Sequence, residues 1–213
     1  MMKFGVLGSG QVAQVLAQGL KAKGYDVRIG SRDPAKLATF SKASGIPAAT
    51  FAEVAAWSEA IVLAVLGRAA EEALQLAGPA HLDGKVVLDT TNPIADAPPV
   101  DGVIRFFTGP NESLMERLQA AFPKARFVKA FNSVGNSRMV DPKLSGGKPT
   151  MFYCGDDAGA KAIVGQVIEQ FGWERADMGA AVAARAIEPL CQLWCIPGFR
   201  ENSWGHAFKL LRS

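Results

Sequence analysis

Short apolar runs and longer stretches of helical periodicity alternate along this chain, and the alternation predicts its architecture. Phe4 to Leu7 reads as a buried strand. A glycine turn follows, then apolar positions at Val12, Val15, Leu16, Gly19 and Leu20, the spacing of a helix over Gln11 to Lys23. Asp26 to Gly30 predicts a second strand, ending at a junction where Asp33 caps a helix with Pro34 in its first position. Thr50 and Glu53 form a capping-box pattern opening a short helix to Trp57. Ala60 to Val65 and Val86 to Asp89 are continuous apolar runs, as expected of strands covered on both faces, with an alanine-rich helix over Ala69 to Ala77 between them. A helix from Asn111 to Phe122 and a strand from Phe127 to Phe131 continue the alternation. Two further strands, Thr150 to Cys154 and Trp173 to Asp177, flank a helix over Ala158 to Phe171.

This order predicts an α/β fold with a doubly wound, mostly parallel sheet. The whole chain, 1–213, reads as one domain. Residues 1–179 supply sheet and crossover helices, and 180–213 form a C-terminal helical segment that completes an acceptor site or a dimer contact. Within that segment, Ala180 to Trp194 reads as a long helix, Ile196 to Ser203 as irregular and Trp204 to Leu211 as a short terminal helix. Ile94 to Pro110, with its prolines and glycines, reads as a loop at the rim of the site.

The first strand–helix junction carries the chemistry. Gly8-Ser9-Gly10-Gln11-Val12-Ala13 is a G-x-G-x-x-A pattern placed after a strand and opening a helix, the Rossmann-type arrangement for a dinucleotide. Gly8 permits the tight turn, Gly10 lets a pyrophosphate approach the backbone, and Ala13 keeps helix and sheet close. Free N–H groups and the dipole at the helix start favour a phosphate. At the end of the second strand, NAD enzymes usually carry an acidic residue for the ribose 2′-hydroxyl. Here the chain has Ser31 and Arg32, a hydroxyl and a guanidinium suited to a 2′-phosphate, with Lys36 one turn on as a second positive charge. The cofactor expected is therefore NADP(H).

Composition narrows the partners. The chain is 49% apolar and 20% charged with net charge +3, an ordinary globular balance, and no Lys or Arg run suggests nucleic acid. No apolar run reaches membrane-spanning length and Met1 to Leu7 lacks a signal-peptide core, so no membrane association and a cytoplasmic location are expected. Cys154, Cys191 and Cys195 are odd in number and form no CxxC pair; they fit a reducing setting, with Cys191 and Cys195 packing on one helix face. With only His81 and His206 beside them, no metal site is expected. Asp89 reads as support for a strand-end turn, Asp156 and Asp157 as helix caps, and Arg185 with Glu188 as a surface pair at i, i+3. Trp194, Trp204 and Phe208 read as core or dimer contacts, or as an aromatic that stacks on an acceptor.

Several strings taken together, GSGQVA, GSRDP, LDTTNP, KAFN-V and YCGDD, resemble the F420-dependent NADP oxidoreductase family from Lys3 to Leu211. They are also similar to the NADPH domain of the STEAP metalloreductases, which pass a hydride to a flavin. The resemblance implies an NADP-dependent oxidoreductase, often a homodimer, that moves hydride between NADP(H) and a small-molecule redox acceptor, F420 or a flavin. By position it implies Gly8, Ser9, Gly10, Gln11 and Val12 at the pyrophosphate, and Ser31, Arg32 and Lys36 at the 2′-phosphate. Ala64, Val65 and Leu66 would line the nucleotide, with Asn92 and Pro93 beside the nicotinamide ribose. Ala130, Asn132 and Val134 would form the floor where nicotinamide and acceptor meet. The F420 enzymes have a His-containing segment where this chain has Asn132-Ser133-Val134-Gly135, and the STEAP branch also has Asn there. A non-catalytic NADPH-sensing module is the rival from another class. Imine and β-hydroxyacid reductases share the glycine and strand pattern but need a long helical domain that this chain is too short to hold.

Overall fold

The computed structural model describes residues 1–212. Among them, six strands form one parallel sheet: β1 (Lys3–Leu7), β2 (Asp26–Gly30), β3 (Ala48–Ala49), β4 (Ala60–Leu63), β5 (Val86–Asp89) and β6 (Arg126–Lys129). Their order is β3-β2-β1-β4-β5-β6, so the chain winds outward from β1 in one direction and from β4 in the other. Carboxyl ends of strands at such a reversal leave a crevice, the usual ligand position in an open α/β sheet. The helices are α1 (Gln11–Ala22), α2 (Ala38–Ser44), α3 (Phe51–Trp57), α4 (Ala70–Ala77), α5 (Pro79–Leu82), α6 (Leu114–Ala121), α7 (Ala158–Gln170), α8 (Ala184–Ile187) and α9 (Leu190–Glu201).

Strand periodicity explains the two layers of core. Val6, Val62, Leu88 and Val128 face Leu16 and Leu20 of α1 and Val164 and Ile168 of α7. Their sequence neighbours Leu7, Ile61, Leu63, Val87 and Phe127 face Val54 of α3, Leu74 of α4 and Leu118 of α6. Each fully buried Leu or Phe contributes about 1.5–3 kcal/mol, so both faces anchor the crevice. The helix starts follow the local chemistry read above. Asp33 accepts the N–H of Ala35, and Thr50 and Glu53 complete a reciprocal capping box. Asp157 caps α7 through the Ala160 N–H.

Two expectations need correction. First, β7 (Thr150–Tyr153) and β8 (Glu174–Asp177) do not continue the six-stranded sheet. They pair in parallel with each other and meet β6 only through one antiparallel bridge, Lys129 to Cys154. The connection between β6 and β7 contains a single 3-10 turn at Asn136–Arg138 and no crossover helix, so β7 returns antiparallel to β6.

Second, the C-terminal segment is built otherwise than its periodicity implies. A 3-10 turn at Ala181–Ala183 and the single turn of α8 end at Glu188-Pro189, where proline lacks the amide needed to continue the ladder. Helix α9 then starts afresh and runs through the span expected to be irregular, tolerating Pro197, until Asn202 stops it in a left-handed conformation (φ 53°). Residues 204–210 are not helical. They lie along β7, with the Phe208 carbonyl accepting from Thr150 N–H and the Thr150 hydroxyl oxygen accepting from Leu210 N–H. Trp204 is held there by packing flat against Gly198, where an added Cβ would come within 2.2 Å of the indole. A smaller shift affects α6, which begins after Ser113, whose hydroxyl oxygen accepts the Glu116 N–H, and not at Asn111.

Candidate functional site

A cleft of about 870 Å³ opens over the carboxyl ends of β1, β2, β4 and β5. One wall begins at the glycine turn. Gly8 has φ +142°, which an L side chain rarely adopts, and a Cβ there would sit 2.2 Å from the Ala64 carbonyl oxygen. Close contact between β1 and β4 thus requires glycine. Gly10 differs, because a Cβ there would meet no protein atom within 4 Å. Its freedom is directed at the cleft. Gly10 caps α1 without a side-chain hydrogen bond, so the first-turn amides of this twelve-residue helix remain available to an anion. These features fit a dinucleotide pyrophosphate.

Ser31 and Arg32 occupy the far end of the cleft. Ser31 is buried and its hydroxyl oxygen accepts the Asp33 N–H, fixing the turn after β2. Arg32 is exposed, and its guanidinium lies 3.4 Å from Glu72 on α4. Lys36 is also exposed, one turn behind, and is not part of the lining. Ala64, Val65 and Leu66 line the opposite side at the end of β4, where Leu66 is exposed. Gly67 follows, and its closeness to the Asn92 carbonyl (1.9 Å from a built Cβ) brings the β4 and β5 loops together.

The inner end is formed by Thr90, Thr91 and Asn92 after β5 and by Val134, Gly135 and Asn136 after β6. Phe131 produces the turn that delivers the second group. It holds φ +58°, an uncommon conformation for a bulky residue that costs on the order of 1–3 kcal/mol. The strain is offset by its N–H donating to Met151 Sδ and by packing on Phe171 and Trp173, 5.7 and 6.4 Å between ring centroids. Ala130, Asn132 and Pro93 are buried behind this wall and do not line it. Asn132 is engaged inside the protein: its Nδ2 donates to Asn92 Oδ1 (3.1 Å) and to the Ile187 carbonyl (2.9 Å), and its own carbonyl accepts from Asn92 Nδ2 (2.7 Å). Trp194 stands behind Gly135, 3.0 Å from a built Cβ, with its Nε1 donating to the His206 carbonyl.

Beneath the inner end lies a charge cluster that sequence reasoning missed. The Lys129 ammonium is wholly buried between Asp89 (2.6 Å) and Glu188 (2.9 Å) and donates to the Thr91 carbonyl (2.8 Å). Glu188, expected as a surface partner of Arg185, is 1% exposed. The helix break at Pro189 turns it inward, where it accepts the first amides of α6, Leu114 and Met115. Arg185 instead pairs with Glu116 at 2.8 Å. Asp89 supports the strand-end turn as expected, its second oxygen accepting both the N–H and the hydroxyl of Thr91. Burial pushes the Lys129 pKa down, but Asp89 and then Glu188 more than offset this and leave it raised. No sequence signal marked Lys129 as buried, since a lysine at the end of a strand usually reaches water. Gly67, Arg68, Glu72, Asp96 and Asn136 line the cleft without a sequence signal, whereas Thr90 and Thr91 belong to the polar string at the carboxyl end of β5, where an open α/β sheet binds ligands. Among the described residues no cluster of His, Cys, Asp or Glu could hold a metal ion, and no helix is long and apolar enough to cross a membrane.

Fold and cleft together define a Rossmann-type protein built to bind a dinucleotide. A family model described as NADP oxidoreductase, coenzyme F420-dependent, matches residues 3–93. The chain is 34% identical to a protein from Arthrobacter sp. FB24, provisionally described as an F420-dependent NADP-reductase, with all of both chains covered and a TM-score of 0.93. It is 32% identical over 200 residues to metalloreductase STEAP3 of Rattus norvegicus, covering 92% of this chain and 38% of that protein. The chain thus spans well under half the length of that curated relative. An imine reductase from Streptomyces aurantiacus, 16% identical with a TM-score of 0.68 over 93% of this chain and 63% of that one, shares the fold. The chain belongs to the F420-dependent NADP oxidoreductase family and is an NADP-dependent oxidoreductase.

Proposed function

We propose that the chain transfers hydride between NADP(H) in this cleft and the deazaflavin ring of F420. One observation carries the reading: among the described residues lining the cleft there is no His, Tyr, Lys or Cys, and its two carboxylates, Glu72 and Asp96, are each paired with an arginine, Arg32 at 3.4 Å and Arg68 at 2.9 Å. A carbonyl or imine reductase needs a positioned proton donor, whereas ring-to-ring hydride transfer depends on alignment. NADPH, when bound, would supply the hydride from its nicotinamide ring. Gly8, Ser9, Gly10, Gln11 and Val12 would hold the pyrophosphate, Ser31 and Arg32 the 2′-phosphate with Lys36 adding charge, and Ala64, Val65 and Leu66 the nucleotide face. The Asn92–Asn132 amide pair would hold the two strand-end loops at a constant separation, with Pro93 and Ala130 filling space behind and Val134 facing the ring. Full-length similarity to the Arthrobacter protein favours F420 as the acceptor.

A flavin, with onward transfer to ferric iron, is the second reading, favoured by the match to STEAP3 across 92% of this chain. Stopped-flow oxidation of bound NADPH, with F420, FMN and FAD offered separately, tests both. Rapid oxidation by F420 alone is expected. Oxidation by a flavin alone moves the chain to the second reading, and tight NADPH binding without oxidation by any of the three favours a sensor. The exposed Leu193 and Phe199 on α9 suit the homodimer that accompanies this reading, which sedimentation equilibrium would check.

A further inference from the structure

The Asp89–Lys129–Glu188 cluster lies outside the cleft, and no step of the proposed reaction uses it. Its connections nevertheless converge on one cleft residue. Thr91 is held at three points: its N–H (2.8 Å) and hydroxyl (2.7 Å) by one oxygen of Asp89, and its carbonyl by Lys129 (2.8 Å). Lys129 is gripped from the other side by Glu188 (2.9 Å). Glu188 in turn accepts the Leu114 and Met115 amides at the start of α6 (2.9 and 3.0 Å). Beside it, the Ile187 carbonyl accepts from Asn132, which is paired with Asn92. Three segments far apart in sequence, the end of β5, β6 and the residues after α8, therefore meet at one ammonium, with the start of α6 tied in through Glu188, and the β5 loop is the part of the cleft they fix.

Two carboxylates and one ammonium, all at most 2% exposed, are an expensive way to hold a core together. Apolar residues of similar volume often do as well or better. A directional device is justified where backbone placement matters to a fraction of an ångström. We propose that Lys129 is a positioning residue: braced by Asp89 and Glu188, it sets the Thr91-Asn92 backbone against which the nicotinamide half of the cofactor lies. This rests on the reading that the cleft holds NADP(H) with its 2′-phosphate at Arg32. The adenosine half meets a different wall, which the cluster does not touch.

Binding the cofactor in halves tests the inference. NADPH and 2′,5′-ADP, which carries only the adenosine half, are titrated calorimetrically against the full chain and the combined variant Asp89→Asn, Lys129→Met, Glu188→Gln, which removes all three charges at nearly constant volume. Weaker NADPH binding by about tenfold or more, with 2′,5′-ADP within about twofold, is expected from a displaced nicotinamide wall. Equal losses for both ligands, or no loss for either, would overturn it in favour of a purely structural cluster. Should the combined variant fail to fold, Glu188→Gln alone leaves a balanced Asp89–Lys129 pair and must show the same split at smaller amplitude. If the unmutated chain binds NADPH but not 2′,5′-ADP, the placement of the 2′-phosphate at Arg32 is wrong and the inference falls with it. Activity with F420 or a flavin plays no part, so a wrong acceptor leaves this test standing.

Discussion

Arg32 and Glu72 show how single residues divide the energetics of the cleft. Their 3.4 Å pair is largely exposed on both sides, so it is worth only about 0.2–1 kcal/mol. A cofactor 2′-phosphate competing for the same guanidinium has little to displace. Arg32→Ala should therefore weaken NADPH binding by about 1.5–3 kcal/mol, the range for hydrogen bonds to a charged group, and leave NADH nearly unchanged. Glu72→Gln should strengthen NADPH binding by up to about 1 kcal/mol by removing the competitor. Titrating both nucleotides against each variant checks the pair, and equal NADH and NADPH affinities in the unmutated chain would remove the basis of the Ser31-Arg32 assignment. Lys129 makes a different prediction. Its pKa is raised in the fold, so the stability it adds is fully present below the ordinary lysine value of 10.5 and is lost as pH rises through the higher folded value. Urea midpoints should fall in strongly alkaline buffer for the unmutated chain, with this component absent from Lys129→Met. That single variant should itself lose about 3–5 kcal/mol, because two buried carboxylates are left without their cation.

At the scale of elements, the turn between β1 and α1 separates folding from binding within three residues. Gly8 is needed by the protein, since its φ is +142° and the Ala64 carbonyl occupies the space of a side chain. At Gly10 the protein itself has no such need, since nothing of it lies within 4 Å of an added Cβ. Gly8→Ala should unfold at clearly lower temperature, from a strain of about 1–3 kcal/mol plus the clash. Gly10→Ala should melt within about 0.5 kcal/mol of the unmutated chain yet bind NADPH at least about tenfold more weakly. Calorimetric melting and NADPH titration of the two variants distinguish the roles. The junction between α8 and α9 is the other decisive element. A periodic reading runs straight through Glu188-Pro189 and leaves the glutamate on the surface beside Arg185. The break there buries Glu188 beside Lys129, and without it the cluster under the cleft would lack its second carboxylate.

For the whole molecule, the reversal of strand order between β1 and β4 places the glycine turn, the basic end and both strand-end loops around one crevice. Cofactor binding should therefore stabilise the entire fold. NADPH at a hundred times its Kd should add about 2.7 kcal/mol to the unfolding free energy. For a domain of this size that is a rise in melting temperature of roughly 5–11 °C. NADH at the same concentration should give a smaller rise, and equal shifts would argue against the 2′-phosphate site.

Much of this was legible along the chain because it is local. Strands buried on both faces read as unbroken apolar runs, helix starts at Asp33, Thr50 and Asp157 depend on residues two or three positions away, and a phosphate-binding turn is six consecutive residues. Five of the six parallel strands, the glycine turn and the Ser31-Arg32 end of the cleft follow from such short-range rules; β3, two residues paired to β2, has no apolar run to announce it. What only the tertiary structure decided depends on partners distant in sequence. The antiparallel return of β7, the extended run after Trp204 and the inward turn of Glu188 each follow from contacts across tens of residues that no periodicity encodes. Lys129 is the sharpest case: its charge is visible in the sequence, but its burial exists only because Asp89 and Glu188, 40 and 59 positions away, arrive at the same point to balance it.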